Sequence, residues 1–208
     1  MRKFYTFILL ALTSLISACQ TPVDKSALIN SNPKSILILP MVNNSTEVKF
    51  PEALLAIQSS QIVSEAGYYT FSPYIIKKFF ADNGYHEAQE IHDIPLEQLR
   101  KIFGVDAVLY PVLENFGTKY KVLLSSSGAT VSGKLMDTHT GEIIWKDSAT
   151  AEKASVGLLD ALIAQIADSL TDTASNFSIV AINDLLTPTP QKGLAPGHRS
   201  PERTSTPK

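Results

Sequence analysis

A single cysteine in 208 residues, Cys19, excludes an internal disulfide, so the fold is held by packing rather than covalent staples. Basic residues do not outnumber acidic ones: 18 Lys and Arg against 20 Asp and Glu give a net charge of −2. Arg2 and Lys3 are the charges of the first 18 residues, so a chain lacking that stretch stands at −4. The lack of a basic excess argues against a nucleic-acid surface, which needs a clustered positive face. Neither GxxxxGK[ST] nor GxGxxG after a strand occurs, so glycine offers no phosphate cradle. A long hydrophobic run is missing as well. The apolar stretch over residues 4–16 is shorter than the ~18 residues that argue for a membrane span, and no stop-transfer pattern follows it.

What is present starts at the amino terminus. Arg2 and Lys3, the apolar stretch, and the small residues Ser17 and Ala18 before Cys19 have the order of a secretory signal over residues 1–18. Ile16-Ser17-Ala18-Cys19 resembles the lipobox of bacterial lipoproteins. The resemblance implies that cleavage leaves Cys19 first, carrying a diacylglyceryl thioether and an N-acyl chain. The alternative is an ordinary secretory signal that happens to end on a cysteine. Two or more acyl chains, at about 0.8 kcal/mol per buried methylene, suffice for stable anchoring. Gln20, where the sorting rule for such lipoproteins would read Asp for retention, implies the outer membrane, with the domain on its periplasmic face.

Residues 19–33 contain Pro22 and Pro33, show no apolar periodicity, and read as a flexible tether. A random coil of that length reaches only ~20 Å, which favours partners near the anchoring membrane. Residues 187–208, rich in proline, serine and threonine, read as a disordered tail. Between them residues 34–186, about 150, suit one domain with its own core.

Ile36-Leu37-Ile38-Leu39 is continuously apolar, as expected of a strand buried on both faces. Pro51 and Glu52 mark a helix start, Leu54, Leu55, Ile62, Val63 and Ala66 recur at roughly helical spacing, and Gly67 marks the stop. Residues 68–72 then read as a strand, 73–83 and 95–103 as helices, and 105–112 as a central strand. Residues 118–124, 129–136 and 142–147 read as an antiparallel meander. Leu159, Leu162, Ile163, Ile166 and Leu170 form an amphipathic stripe, and residues 176–186 a closing helix. This order predicts a single-domain α/β sandwich with a mixed sheet, parallel at the crossovers and antiparallel in the meander.

Residues able to do chemistry are scattered. His86 and His92 flank Glu87, Glu90 and Asp93, but their separation is not that of a helical ligand pair, and the stretch reads as a solvated loop. His139 and Asp137 fall in the meander turn, where Asp137 is expected to accept backbone hydrogen bonds. Ser125-Ser126-Ser127-Gly128 lacks a nucleophile elbow and reads as a polar bend. No catalytic residue, metal ligand or cofactor site is therefore assigned, and no small-molecule substrate; the one site residue is Cys19.

Three segments carry a family resemblance: Ile36-Leu37-Ile38-Leu39-Pro40 through Ser45, Phe103-Gly104-Val105-Asp106-Ala107-Val108-Leu109-Tyr110, and Lys134-Leu135-Met136-Asp137 through Trp145. Together they resemble a family of uncharacterised bacterial lipoproteins. Its domain is similar to the amino-terminal domain of TolB and to the periplasmic domain of the curli-secretion channel lipoprotein. The likeness extends to the tail, except that His198 stands where relatives carry proline. It implies an envelope location, a non-enzymatic domain, and assembly as a homodimer or with partner lipoproteins. Rival readings are an activator of a cell-wall synthase and, on scattered histidines and serines alone, an envelope hydrolase. A pore-lining role would require strand hairpins beyond those the sandwich uses.

Overall fold

A computed structural model describes residues 22–121, 124–156 and 173–204. The signal, Cys19 and the Leu159, Leu162, Ile163, Ile166 and Leu170 stripe lie outside the described residues.

The elements, in chain order, are α1 (Ser26–Ser31), β1 (Ser35–Ile38), β2 (Val42–Asn43), α2 (Glu52–Glu65), β3 (Tyr69–Thr70), α3 (Pro73–Asp82), α4 (Ala88–His92), α5 (Leu96–Phe103), β4 (Ala107–Lys121), β5 (Leu124–Asp137), β6 (Ile143–Val156), α6 (Thr173–Leu186) and α7 (Pro201–Thr204). The sheet order is β3-β1-β4-β5-β6, with β2 also paired to β4. β1 is parallel to β3 and β4, while β4, β5 and β6 form an antiparallel meander. The chain is thus a mixed α/β domain, parallel where helices cross over and antiparallel where turns suffice.

The continuous apolar runs are explained by helices on both faces of the sheet. Ile36, Ala107, Leu109 and Leu135 face a core built with Leu55, Ile62 and Val63 of α2 and Ala181, Ile182 and Leu185 of α6. Leu37, Leu39, Val108 and Tyr110 face a second core with Ile76 and Phe80 of α3, Ile91 of α4 and Leu99 of α5. Alternate residues of one strand therefore feed two cores, so the runs Ile36 to Leu39 and Ala107 to Leu109 are apolar without interruption. Phe80 is central to the second core: Phe79, Tyr85 and Phe103 lie edge-on or tilted around it at centroid distances of 5.6–6.3 Å.

Four expectations need correction. Residues 118–124 are not a separate strand: β4 runs unbroken to Lys121, past Pro111, with a register shift between Leu113 and Asn115. Ser125, Ser126, Ser127 and Gly128 are not a bend but lie in β5, opposite Tyr120, Lys119, Thr118 and Gly117. The stretch around His86 and His92 is not wholly a loop, because α4 forms there to bury Ile91.

The fourth correction concerns the expected tether and tail, which in their described parts are folded onto the domain. Leu28 of α1 is 1% exposed in the first core, and Asn32 closes the helix in the left-handed region, its N–H donating to the Leu28 carbonyl at 3.0 Å. Leu194 and Ala195 are buried in the same core. Trp145 Nε1 donates to the Gly193 carbonyl at 3.0 Å, and the Tyr68 hydroxyl to the Ala195 carbonyl at 2.7 Å. The two segments also hold each other: Val23 N–H donates to the Gln191 carbonyl, and Lys25 Nζ to the carbonyls of Thr189, Lys192 and Leu194. Isolated apolar residues in a polar context gave no periodic signal, yet Leu28, Leu194 and Ala195 are all buried in the first core.

Candidate functional site

Beyond the helices of the second face, β4, β5 and β6 continue with a polar surface. Strand register sets three side chains abreast there, Tyr110 of β4 opposite Lys134 of β5, and Lys134 opposite Lys146 of β6. Lys134 Nζ lies 4.9 Å from the Tyr110 ring centroid, a cation–π distance. Gln89 and His92 of α4 and Asp93 just after it wall this groove, and Val42 of β2 and Asn44 just after it line it, around a volume of about 340 Å³. Nearby, Ser132 Oγ donates to Glu114 Oε1 at 2.6 Å.

His92 stands edge-on to Tyr110 at 5.3 Å and bonds the Pro40 carbonyl through Nε2 at 2.8 Å. Burial lowers its pKa, and Lys134 adds to that, against the opposing effects of the Pro40 carbonyl and Asp93. The neutral ring with its proton on Nε2 satisfies that carbonyl. Burial raises the Tyr110 phenol. The groove presents the Lys134 and Lys146 ammonium groups, the Asp93 carboxylate and the hydrogen-bonding side chains of Asn44, Gln89 and Ser132.

A second concavity has the opposite character. Ile38, Leu39, Ala53, Ile57, Phe71 and Tyr74 line an apolar cleft of about 200 Å³ between α2 and α3. Its rim is exposed although apolar: Ile57 is 58% and Tyr74 75% accessible, and Ile75 and Leu54 are exposed beside them. Solvated apolar residues are ordinary singly; their clustering around one cleft is not.

The remaining sequence candidates separate. His86 and His92 are not joined in a ligand set, and among the described residues no three His, Cys, Asp or Glu side chains form a group able to hold a metal ion. His139 is in the β5–β6 turn, its Nδ1 3.7 Å from Asp137 Oδ1. Asp137 organises that turn, accepting from the N–H groups of His139 at 2.7 Å and Thr140 at 3.1 Å, and from the Ser31 hydroxyl at 2.5 Å. Burial alone would raise the Asp137 carboxyl; those hydrogen bonds and the His139 ring outweigh it and hold the pKa below the ordinary value. Sequence reasoning missed Tyr110, Lys134 and Lys146 of the groove and Ile57, Phe71 and Tyr74 of the cleft. The signal for the groove was the polar alternation Thr130, Ser132, Lys134; the cleft had none, because Ile57, Phe71 and Tyr74 come from separate segments that only the fold brings together.

Among the described residues no helix is long and apolar enough to cross a membrane. Two solved structures are matched at low identity and with low structural overlap. The PelC dodecamer from Paraburkholderia phytofirmans is 10% identical with a TM-score of 0.42, over 73% of this chain and 84% of that one. The LpoB C-terminal domain from Escherichia coli is 18% identical with a TM-score of 0.38, over 57% and 83%. Likeness at that level does not extend to function. The crystal structure of lipoprotein GNA1162 from Neisseria meningitidis is nearer, at 33% identity and a TM-score of 0.54, covering 69% of this chain and 99% of that one. A curated sequence from Neisseria meningitidis serogroup B, "Putative lipoprotein NMB1124/NMB1162", is 36% identical over 202 residues, 91% of this chain and 94% of the relative. With residues 23–199 matched by the family model described as "Putative lipoprotein GNA1162-like", the chain belongs to that lipoprotein family.

Proposed function

We propose that this chain is a lipid-anchored envelope module that binds and assembles, with itself or with partner lipoproteins of a secretion or envelope-assembly system, and does no catalysis. The observation that carries the reading is the apolar cleft lined by solvent-exposed Ile57 and Tyr74, which has the aromatic and aliphatic anchors of a protein-docking surface. Membership of a lipoprotein family supports anchoring, with Cys19 as the residue that carries the acyl chains and the periplasmic face of the outer membrane as its place. Anchored copies share one membrane plane, so weak contacts gain from high effective concentration.

The cell-wall-synthase activator is the weaker reading. Such a role asks the domain to reach away from its membrane, and with residues 22–33 packed on the domain little chain remains to reach with.

The test is site-specific photo-crosslinking in intact cells from a probe replacing Tyr74 or Ile57, with exposed Glu90 as control. The reading expects discrete protein adducts from the cleft positions and none from Glu90. Cleft probes that capture no protein, in cells where the chain is folded and abundant, would contradict it.

A further inference from the structure

The way the amino-terminal segment is pinned fixes which end of the domain meets the bilayer. Val23 N–H bonds the Gln191 carbonyl at 3.0 Å. Lys25 Nζ bonds the Thr189 carbonyl at 2.6 Å and the Lys192 carbonyl at 2.5 Å. The described chain therefore begins, at Pro22, beside the turn over residues 187–192. Only Gln20 and Thr21 separate Pro22 from Cys19. Three residue steps span at most ~11 Å even when fully extended. A lipid on Cys19 must hold that turn within about the depth of one headgroup layer of the membrane surface.

The neighbouring surface has matching chemistry. From Lys25, α1 leads to Ile29, 52% exposed, whose carbonyl lies 3.5 Å from Arg203 Nη2. Lys34, Arg199 and Arg203 cluster at the same foot of the sheet, all near enough to His198 to lower its pKa after burial has done so. Arg199 sits over the Tyr69 ring at 4.1 Å. Asp106, close by, is spent on the N–H groups of Lys34 and Ser35. Asp24 and Glu202 lie in the same segments, so the acyl chains do the holding and the basic cluster sets which way the domain settles.

We infer that the turn over residues 187–192, with Ile29, Lys34, Arg199 and Arg203, is a membrane-facing surface that rests on the phosphate headgroups of the anchoring bilayer. The inference rests on the lipidation of Cys19 proposed above. It carries the β4–β5 hairpin away from the membrane: Trp145, tied to Gly193, pairs with Leu135, and the strand runs from there to Leu124 at ~3.3 Å per residue, about 36 Å.

Because Cys19 is the only natural cysteine, Gln191→Cys and Glu87→Cys each give one labelling position in the full lipidated chain. Glu87 is an exposed control beyond the far end of β1, lining a hollow with Met41 and Asn43. Fluorophores at both positions are measured in phosphatidylethanolamine–phosphatidylglycerol vesicles containing a lipid with a headgroup nitroxide quencher. Quenching should be several-fold stronger at Gln191→Cys, and a flexible glycine-serine insertion between Thr21 and Pro22 should abolish the difference. Equal quenching at the two positions in protein that carries lipid by mass would overturn the orientation alone. Absence of lipid by mass would overturn the anchoring reading and this inference with it.

Discussion

Gly197 lies directly on Gly67: its N–H donates to the Ala66 carbonyl at 2.7 Å, and a Cβ on Gly197 would come within 2.6 Å of the Gly67 carbonyl carbon. Gly67 itself has φ +98°, which side chains rarely adopt. The contact is backbone against backbone, so it seats the tail on the end of α2 only if both positions lack a side chain.

Gly197→Ala must therefore push the tail off α2 or strain the turn at Gly67. The expected cost is about 1–3 kcal/mol, the range for overpacking a close contact. Urea unfolding should show a lower midpoint, and proteolysis should cut the tail at sites resistant in the wild type. A midpoint unchanged from wild type would show that the tail adds nothing to the fold.

This contact also marks where the sequence was legible and where it was not. β1, α2 and the start of β4 were readable because each presents a full period of apolar residues to a core, as with Ile36 and Leu37 facing opposite sides of the sheet. The α4 helix was not, since a single buried side chain, Ile91, holds it. Leu28, Leu194 and Ala195 are core residues in segments whose composition is that of linkers. Their positions depend on polar ties to distant residues, Lys25 to Leu194 and Trp145 to Gly193, and nothing local encodes those. The strands read separately over 105–112 and 118–124 are one strand, β4, which passes through Pro111 and Gly117. The groove was hidden for a related reason: Tyr110, Lys134 and Lys146 come together only through strand register.

Asp137 provides a pH signature at the acid end. Its folded-state pKa is depressed, so its stabilising contribution is present above the ordinary carboxylate range and is lost as pH falls through the lowered value. Asp137→Asn should lower stability at neutral pH and flatten the loss of stability below about pH 4, where the unfolded chain's Asp137 takes up a proton before the folded carboxylate does. Thermal unfolding of both proteins across the acid range measures this. Parallel curves would mean the turn does not depend on the charge.

His92 acts in a separate window. Its folded pKa is also depressed, but for a histidine this means the unfolded chain takes up a proton first. Stability should be level above about pH 6.5 and decline as pH falls from there through the lowered folded-state value. His92→Gln, which can still donate to the Pro40 carbonyl, should remove that decline at a modest cost at neutral pH. NMR titration of the ring gives the direct check: an imidazole titrating at or above its ordinary value would contradict the half-buried, neutral assignment.

The most direct test of the account as a whole is fatty-acid labelling and membrane fractionation of the wild type beside Cys19→Ser. A lipid-anchored module predicts labelled protein in the outer-membrane fraction for the wild type, and an unlabelled, folded domain released in soluble form for Cys19→Ser. A Cys19→Ser protein that keeps its label and stays in the membrane fraction would contradict the account.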